Sequence, residues 1–205
     1  MSARETRPLK WSDQPLQPAL AEAAGVDEAA QTAAASAPPL AAWCATVLDS
    51  PQPKDALRYL AYALPPQAAV WWGCLCLEHA STGRLRPAED AALGAAVRWV
   101  LCPGEAETGM VREHGEAAGK GTAAGSLAKA AALAGAAPPE GGAPAPRKPQ
   151  QVARLVAASV LGTARSGGAE RAAFTALFLD LALRVGDGQL PWHAAPQLQP
   201  AEAVR

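Results

Sequence analysis

The chain has 205 residues, enough for one domain with a sizeable core. Its 18 Lys+Arg nearly balance 19 Asp+Glu, a formal net charge of -1, so there is no general electrostatic reason to expect nucleic acid or an anionic membrane as a partner. Alanine is by far the commonest residue and aromatics are only 5%, six Trp against two Tyr and two Phe. Alanine costs least in a helix, so the composition predicts an all-α fold in which each Trp supplies much of the core's bulk.

Residues 1–37 hold Ser, Gln, Pro and Ala with few large apolar groups, and read as a mobile arm with a helical turn or two around Ala19–Ala35. Basic residues in Met1–Lys10 precede no apolar run, so no secretory signal is visible and a cytoplasmic protein is expected. Pro38-Pro39 opens a helix with Leu40, Trp43, Val47 and Leu48 at helical spacing, and Ser50-Pro51-Gln52-Pro53 stops it. A second helix, from Asp55 to Leu64, places Leu57, Leu60, Ala61 and Leu64 on one face. Pro65 and Pro66 end it and suit the first turn of a third, which runs to about Ala80.

Pro87-Ala88-Glu89-Asp90 has the proline and acidic first turn of a helix start, and Leu93, Ala96, Val97 and Val100 then face inward as far as Cys102-Pro103-Gly104. Helices at about Glu105–Ala118 and Ala123–Ala136 follow, and residues 137–149 are a Pro/Gly-rich loop. Two further helices, about Pro149–Ala164 and Ala169–Val185, flank Ser166-Gly167-Gly168. The sequence thus predicts a compact domain of about six to eight helices over 38–190, with a tail over 191–205. Its most apolar windows, Leu155–Leu161 and Phe174–Leu183, are too short to span a bilayer.

The stretch Leu64–Ala80 concentrates residues that metal sites, thiol chemistry and packed cores all use. On a helix Trp72, Cys76 and His79 form one stripe and Val70, Cys74 and Leu77 another, so Cys74 and Cys76 diverge and chelate poorly. No second ligand pair is evident, and no C-x-x-C lies near a βαβ pattern. The stretch therefore reads as core, with Trp43, Leu60, Leu64, Val70, Trp71, Trp72, Cys74, Cys76 and Trp99 as structural residues and His79 where a face meets water. Cys44, Cys74, Cys76 and Cys102, all among apolar neighbours, read as reduced buried thiols.

Gly115–Thr122 (GEAAGKGT) has the look of a phosphate-binding loop, but the glycine spacing is one residue off and no buried strand precedes it. A helix–helix loop is expected instead. The acidic pairs Glu89-Asp90 and Glu105/Glu107 fall in first turns, where the helix dipole accounts for them. Lys148, Arg154, Arg165 and Arg171 give a local basic bias, spread out like a solvated helix face.

The run from Asp55 to Ala80, with Leu64, Pro65, Ala69, Val70, Trp71, Trp72, Cys74 and Cys76, resembles a bacterial family of unknown function. Its members carry a leucine–proline pair followed by Ala-Val-Trp-Trp and a cysteine-containing continuation. The resemblance extends more loosely over residues 38–190, and takes Gly121-Thr122 as a plain helix start. It implies a small helical protein, sometimes encoded beside type VI secretion genes, with an accessory role in building or loading that apparatus. It carries over no catalytic residue.

The sequence therefore predicts a non-enzymatic helical adaptor without cofactor or metal, whose partner is another protein, such as a type VI secretion component. Trp11 and Trp192, isolated aromatics near the two ends, are candidate docking anchors. The alternative is a small-ligand or metal binder, or an enzyme, with a pocket near Trp71, Trp72 and His79.

Overall fold

A computed structural model describes residues 10–81, 83–136 and 148–192. Ten α-helices form among them: α1 (Pro18–Ala24), α2 (Glu28–Ala35), α3 (Leu40–Leu48), α4 (Lys54–Ala63), α5 (Pro66–Ser81), α6 (Pro87–Leu101), α7 (Glu105–Ala118), α8 (Ala123–Gly135), α9 (Lys148–Ser166) and α10 (Arg171–Gly186). Short 3-10 turns at Trp11–Asp13 and Gly168–Glu170 complete the described elements. The all-α expectation holds. The count exceeds the expected six to eight because α1 and α2 form where an arm was expected.

The ends of the helices follow local chemistry. Pro18 and Pro87 stand in first turns, where a missing N–H costs nothing. Glu89 accepts the backbone N–H of Arg86 at 3.1 Å and its Nε at 3.0 Å, tying down the entry to α6. Thr122 caps α8 by accepting the N–H of Gly125 at 2.9 Å.

Helix α5 occupies the centre and touches α4, α6, α8, α9 and α10. Trp72, Val70 and Cys76 are fully buried on it, and Trp72 donates its indole N–H to the Phe178 carbonyl of α10 at 2.8 Å. Gly73 lets α8 come close: a Cβ there would lie 2.5 Å from Leu127 Cδ1. The abundant alanines act in the same way, since Ala92, Ala96, Ala128, Ala130 and Ala131 are fully buried between helices that can approach closely.

Residues 10–37 are not a free arm. Leu16, Ala21, Val26, Ala30 and Ala34 are buried in the common core, and α1 packs on α4. The strand-like segment at Pro15 pairs with Pro39, with Leu16 N–H on the Pro38 carbonyl at 3.0 Å and Leu40 N–H on the Gln14 carbonyl at 2.9 Å. Long-range side-chain bonds close the attachment. Ser12 donates its N–H and hydroxyl to Asp187 (2.8 and 2.9 Å), Gln17 N–H donates to Tyr59 Oη (2.9 Å), and Trp43 Nε1 donates to the Ala30 carbonyl (3.2 Å). The expected mobile residues 1–9, most of the loop at 137–149 and most of the tail at 191–205 lie outside the described residues.

Candidate functional site

The conspicuous residues of α5 are spent on packing. Trp43, Leu60, Leu64, Val70, Trp72, Cys74, Cys76 and Trp99 are all buried. Trp71 is only half-buried, because adjacent helical residues diverge by about 100°. Its indole N–H donates to the Leu190 carbonyl at 2.9 Å, away from the Phe178 carbonyl that holds Trp72. His79 is exposed, and its Nδ1–H donates to the Leu75 carbonyl of its own helix at 2.8 Å. Trp71, Trp72 and His79 thus end on three different partners and do not converge on a common pocket.

The thiols divide differently from expectation. Cys44, Cys74 and Cys76 are buried, but Cys102 is exposed, because it follows the last residue of α6 as the chain leaves the core. Burial pushes the Cys44 thiol up to about 12 and also raises Cys74 and Cys76 well above the ordinary thiol range. A group that resists ionisation is a poor nucleophile and a poor metal ligand. Among the described residues no set of three or more His, Cys, Asp or Glu is placed to hold a metal ion.

Gly115–Thr122 is the corner between α7 and α8. A Cβ on Gly115 would stand 2.8 Å from the Ala128 Cβ, so glycine is what allows the two helices to meet there. Gly119 ends α7 at φ +91°, a conformation that disfavours other residues, and Thr122 starts α8. Close packing and capping account for the motif without a phosphate.

Trp11 and Trp192 are half-buried against the core rather than free. The Trp11 ring lies over Gly186 at the end of α10, in the space a Cβ would occupy.

Sequence reasoning did not anticipate an open groove of about 730 Å³ between α7, α8 and α9. Leu133 and Leu155, both half-buried over fully buried Val111, supply its apolar floor. Arg112, Lys120, Lys129 and Arg154 line it from the corner and all three helices, against Glu116 as the one acid among the described lining residues. Arg154, expected on a solvated face, thereby joins a cationic rim. A smaller groove of about 420 Å³ between α4, α9 and α10 gathers Lys54, Arg58, Arg165 and Arg171. Neither groove is lined by Trp71, Trp72 or His79. No helix of the described residues is long and apolar enough to cross a membrane.

Comparison with known proteins gives one match, to the model of a family of unknown function, DUF6931, over residues 43–186. The chain belongs to that family. No curated protein and no solved structure matches it. The match runs from Trp43 in α3 to the end of α10, so the packed N-terminal helices α1 and α2 lie outside it.

Proposed function

We propose that this member of DUF6931 is a non-enzymatic helical adaptor of the bacterial cytoplasm that acts through contact with another protein. The observation that carries the reading is the groove between α7, α8 and α9. An apolar floor with long cationic side chains at its edge suits a docked protein segment, where apolar burial supplies affinity and rim charge supplies orientation and on-rate. The engagement of Trp71, Trp72, Cys74 and Cys76 in packing and backbone hydrogen bonds supports the same reading. With the resemblance of Asp55–Ala80 to proteins encoded beside type VI secretion genes, we extend the proposal to an accessory role in that apparatus.

The test is affinity capture with the tagged full chain from cells that naturally express it, followed by reconstitution from purified components. The expected result is a stoichiometric complex with one captured protein. A thermal-shift screen with divalent ions and nucleotides is the counter-test: saturable stabilisation there, with no reconstituted complex, would overturn the adaptor reading.

A further inference from the structure

We infer that the groove between α7, α8 and α9 binds an acidic amphipathic segment of the partner protein, an inference that rests on the adaptor reading above. Four cations converge on one opening from parts of the chain as far apart as Arg112 and Arg154. The side chains of Arg112, Lys120 and Lys129 make no ion pair or hydrogen bond among the described residues. Among the described residues Arg154 engages only through Nε, on Tyr62 Oη at 3.2 Å, which leaves its terminal guanidinium nitrogens for a ligand. Among the described lining residues only Glu116 opposes this charge. Below the rim Leu133 and Leu155 are half-buried and still accessible, so the floor offers an apolar strip to a segment whose other face carries carboxylates.

The chain does not supply such a segment from outside the described residues. Residues 1–9 carry Arg4 and Arg7 against Glu5; residues 137–147 carry Arg147 against Glu140; residues 193–205 carry Arg205 against Glu202. None has the negative excess that the groove matches. A nucleic acid fits less well, because the floor is aliphatic and no aromatic ring lines it for base stacking.

The probe is a labelled synthetic helix with leucines at i, i+3, i+4 and i+7 and glutamates on the other positions, titrated against the full chain by fluorescence anisotropy. Saturable binding is expected, at least ten-fold weaker when the glutamates are replaced by glutamine. The double variant Arg112→Glu/Lys129→Glu removes no side-chain bond among the described residues, so it should melt like the parent and lose at least ten-fold in affinity. Lys54→Glu/Arg171→Glu, in the second groove, should bind within two-fold of the parent. Equal losses in both double variants would mean unspecific charge attraction and overturn the site. So would unchanged binding in Arg112→Glu/Lys129→Glu, tighter binding of an oligothymidylate that displaces the peptide, or a homodimer in sedimentation that this variant abolishes. If a captured partner still binds Arg112→Glu/Lys129→Glu, the groove inference fails and the adaptor reading stands. If no partner complex forms at all, the adaptor reading fails and the peptide titration still decides the groove.

Discussion

The carboxylate of Asp55 on α4 accepts the backbone N–H of Asp27 at 2.8 Å, so the residue that caps α2 is itself held by a residue of another helix. Asp27 in turn accepts the N–H of Ala30 at 2.8 Å. Asp55 is 1% exposed, and its second oxygen is met by Arg58 Nη1 at 3.1 Å. A buried carboxylate is tolerated here because both oxygens are satisfied. Asp55→Ala leaves the Asp27 N–H unmet and removes one of the bonds that tie the N-terminal layer to α4. It should cost about 1–3 kcal/mol in denaturant unfolding. Amide exchange in residues 18–35 should rise more than in α5, since the loss is local to that layer.

The three buried tryptophans differ in what their indole N–H groups do. Trp72 Nε1 meets the Phe178 carbonyl and Trp43 Nε1 the Ala30 carbonyl, whereas Trp99 Nε1 is buried without a partner among the described residues. Trp72→Ala should destabilise by about 3–5 kcal/mol and half-buried Trp71→Ala by about half that. Replacement by phenylalanine separates packing from hydrogen bonding. Trp72→Phe gives up the bond to the Phe178 carbonyl, while Trp99→Phe gives up none among the described residues, so Trp99→Phe should be clearly the milder change in chemical denaturation.

Trp11 and Gly186 share one space. Gly186→Ala puts a methyl into the Trp11 ring and should cost about 1–3 kcal/mol, through displacement of the ring or strain at the end of α10. The penalty should fall to near zero in a Trp11→Ala background, a coupling that a double-mutant cycle on melting curves measures. Additive losses would mean that the two residues do not meet.

Thiol accessibility follows burial. At neutral pH a thiol reagent should label Cys102 rapidly and leave Cys44, Cys74 and Cys76 unlabelled until the chain is unfolded, as mass spectrometry of the modified peptides would show. The same burial sets an alkaline limit. Folded-state pKa values above the unfolded value mean that the unfolded chain releases thiol protons first as pH rises. The stability these thiols contribute is therefore complete below about pH 8.5 and lost as pH rises toward the Cys44 value of about 12. Each thiol should steepen the loss by about 1.4 kcal/mol per pH unit across that window. Replacing Cys44 with alanine should flatten the slope by one thiol's share, read from denaturant midpoints between pH 8 and 10.

Where local chemistry decides, the sequence was legible. Glu105–Ala118 is the helix expected, and Pro66, Pro87 and Thr122 stand at helix starts for the reasons their chemistry gives. The N-terminal layer was not legible. Alanine gives a helix without an apolar stripe, so nothing in residues 18–35 marks Ala21, Ala30 and Ala34 as the buried side. Its anchors, Tyr59, Asp55 and Asp187, lie 42, 28 and 175 residues from the groups they bind. Asp55 read only as an acidic residue at a helix start. The groove was hidden for a similar reason: Arg112, Lys129 and Arg154 lie on three helices, and only Arg154 drew a reading from the sequence, as part of a solvated face.

By itself the sequence determined that this chain is helical, where most helices begin and end, and which stretch is dense enough to be the centre. Those properties depend on alanine propensity, proline and glycine punctuation and capping within a few residues. Only the tertiary structure decided that residues 10–37 belong to the body, that Trp72 is sealed while Trp71 reaches Leu190, that Cys102 is open, and that scattered cations meet over an apolar floor. Each of these depends on which distant segments come together, and in a nearly charge-balanced, alanine-rich chain no local pattern records that choice.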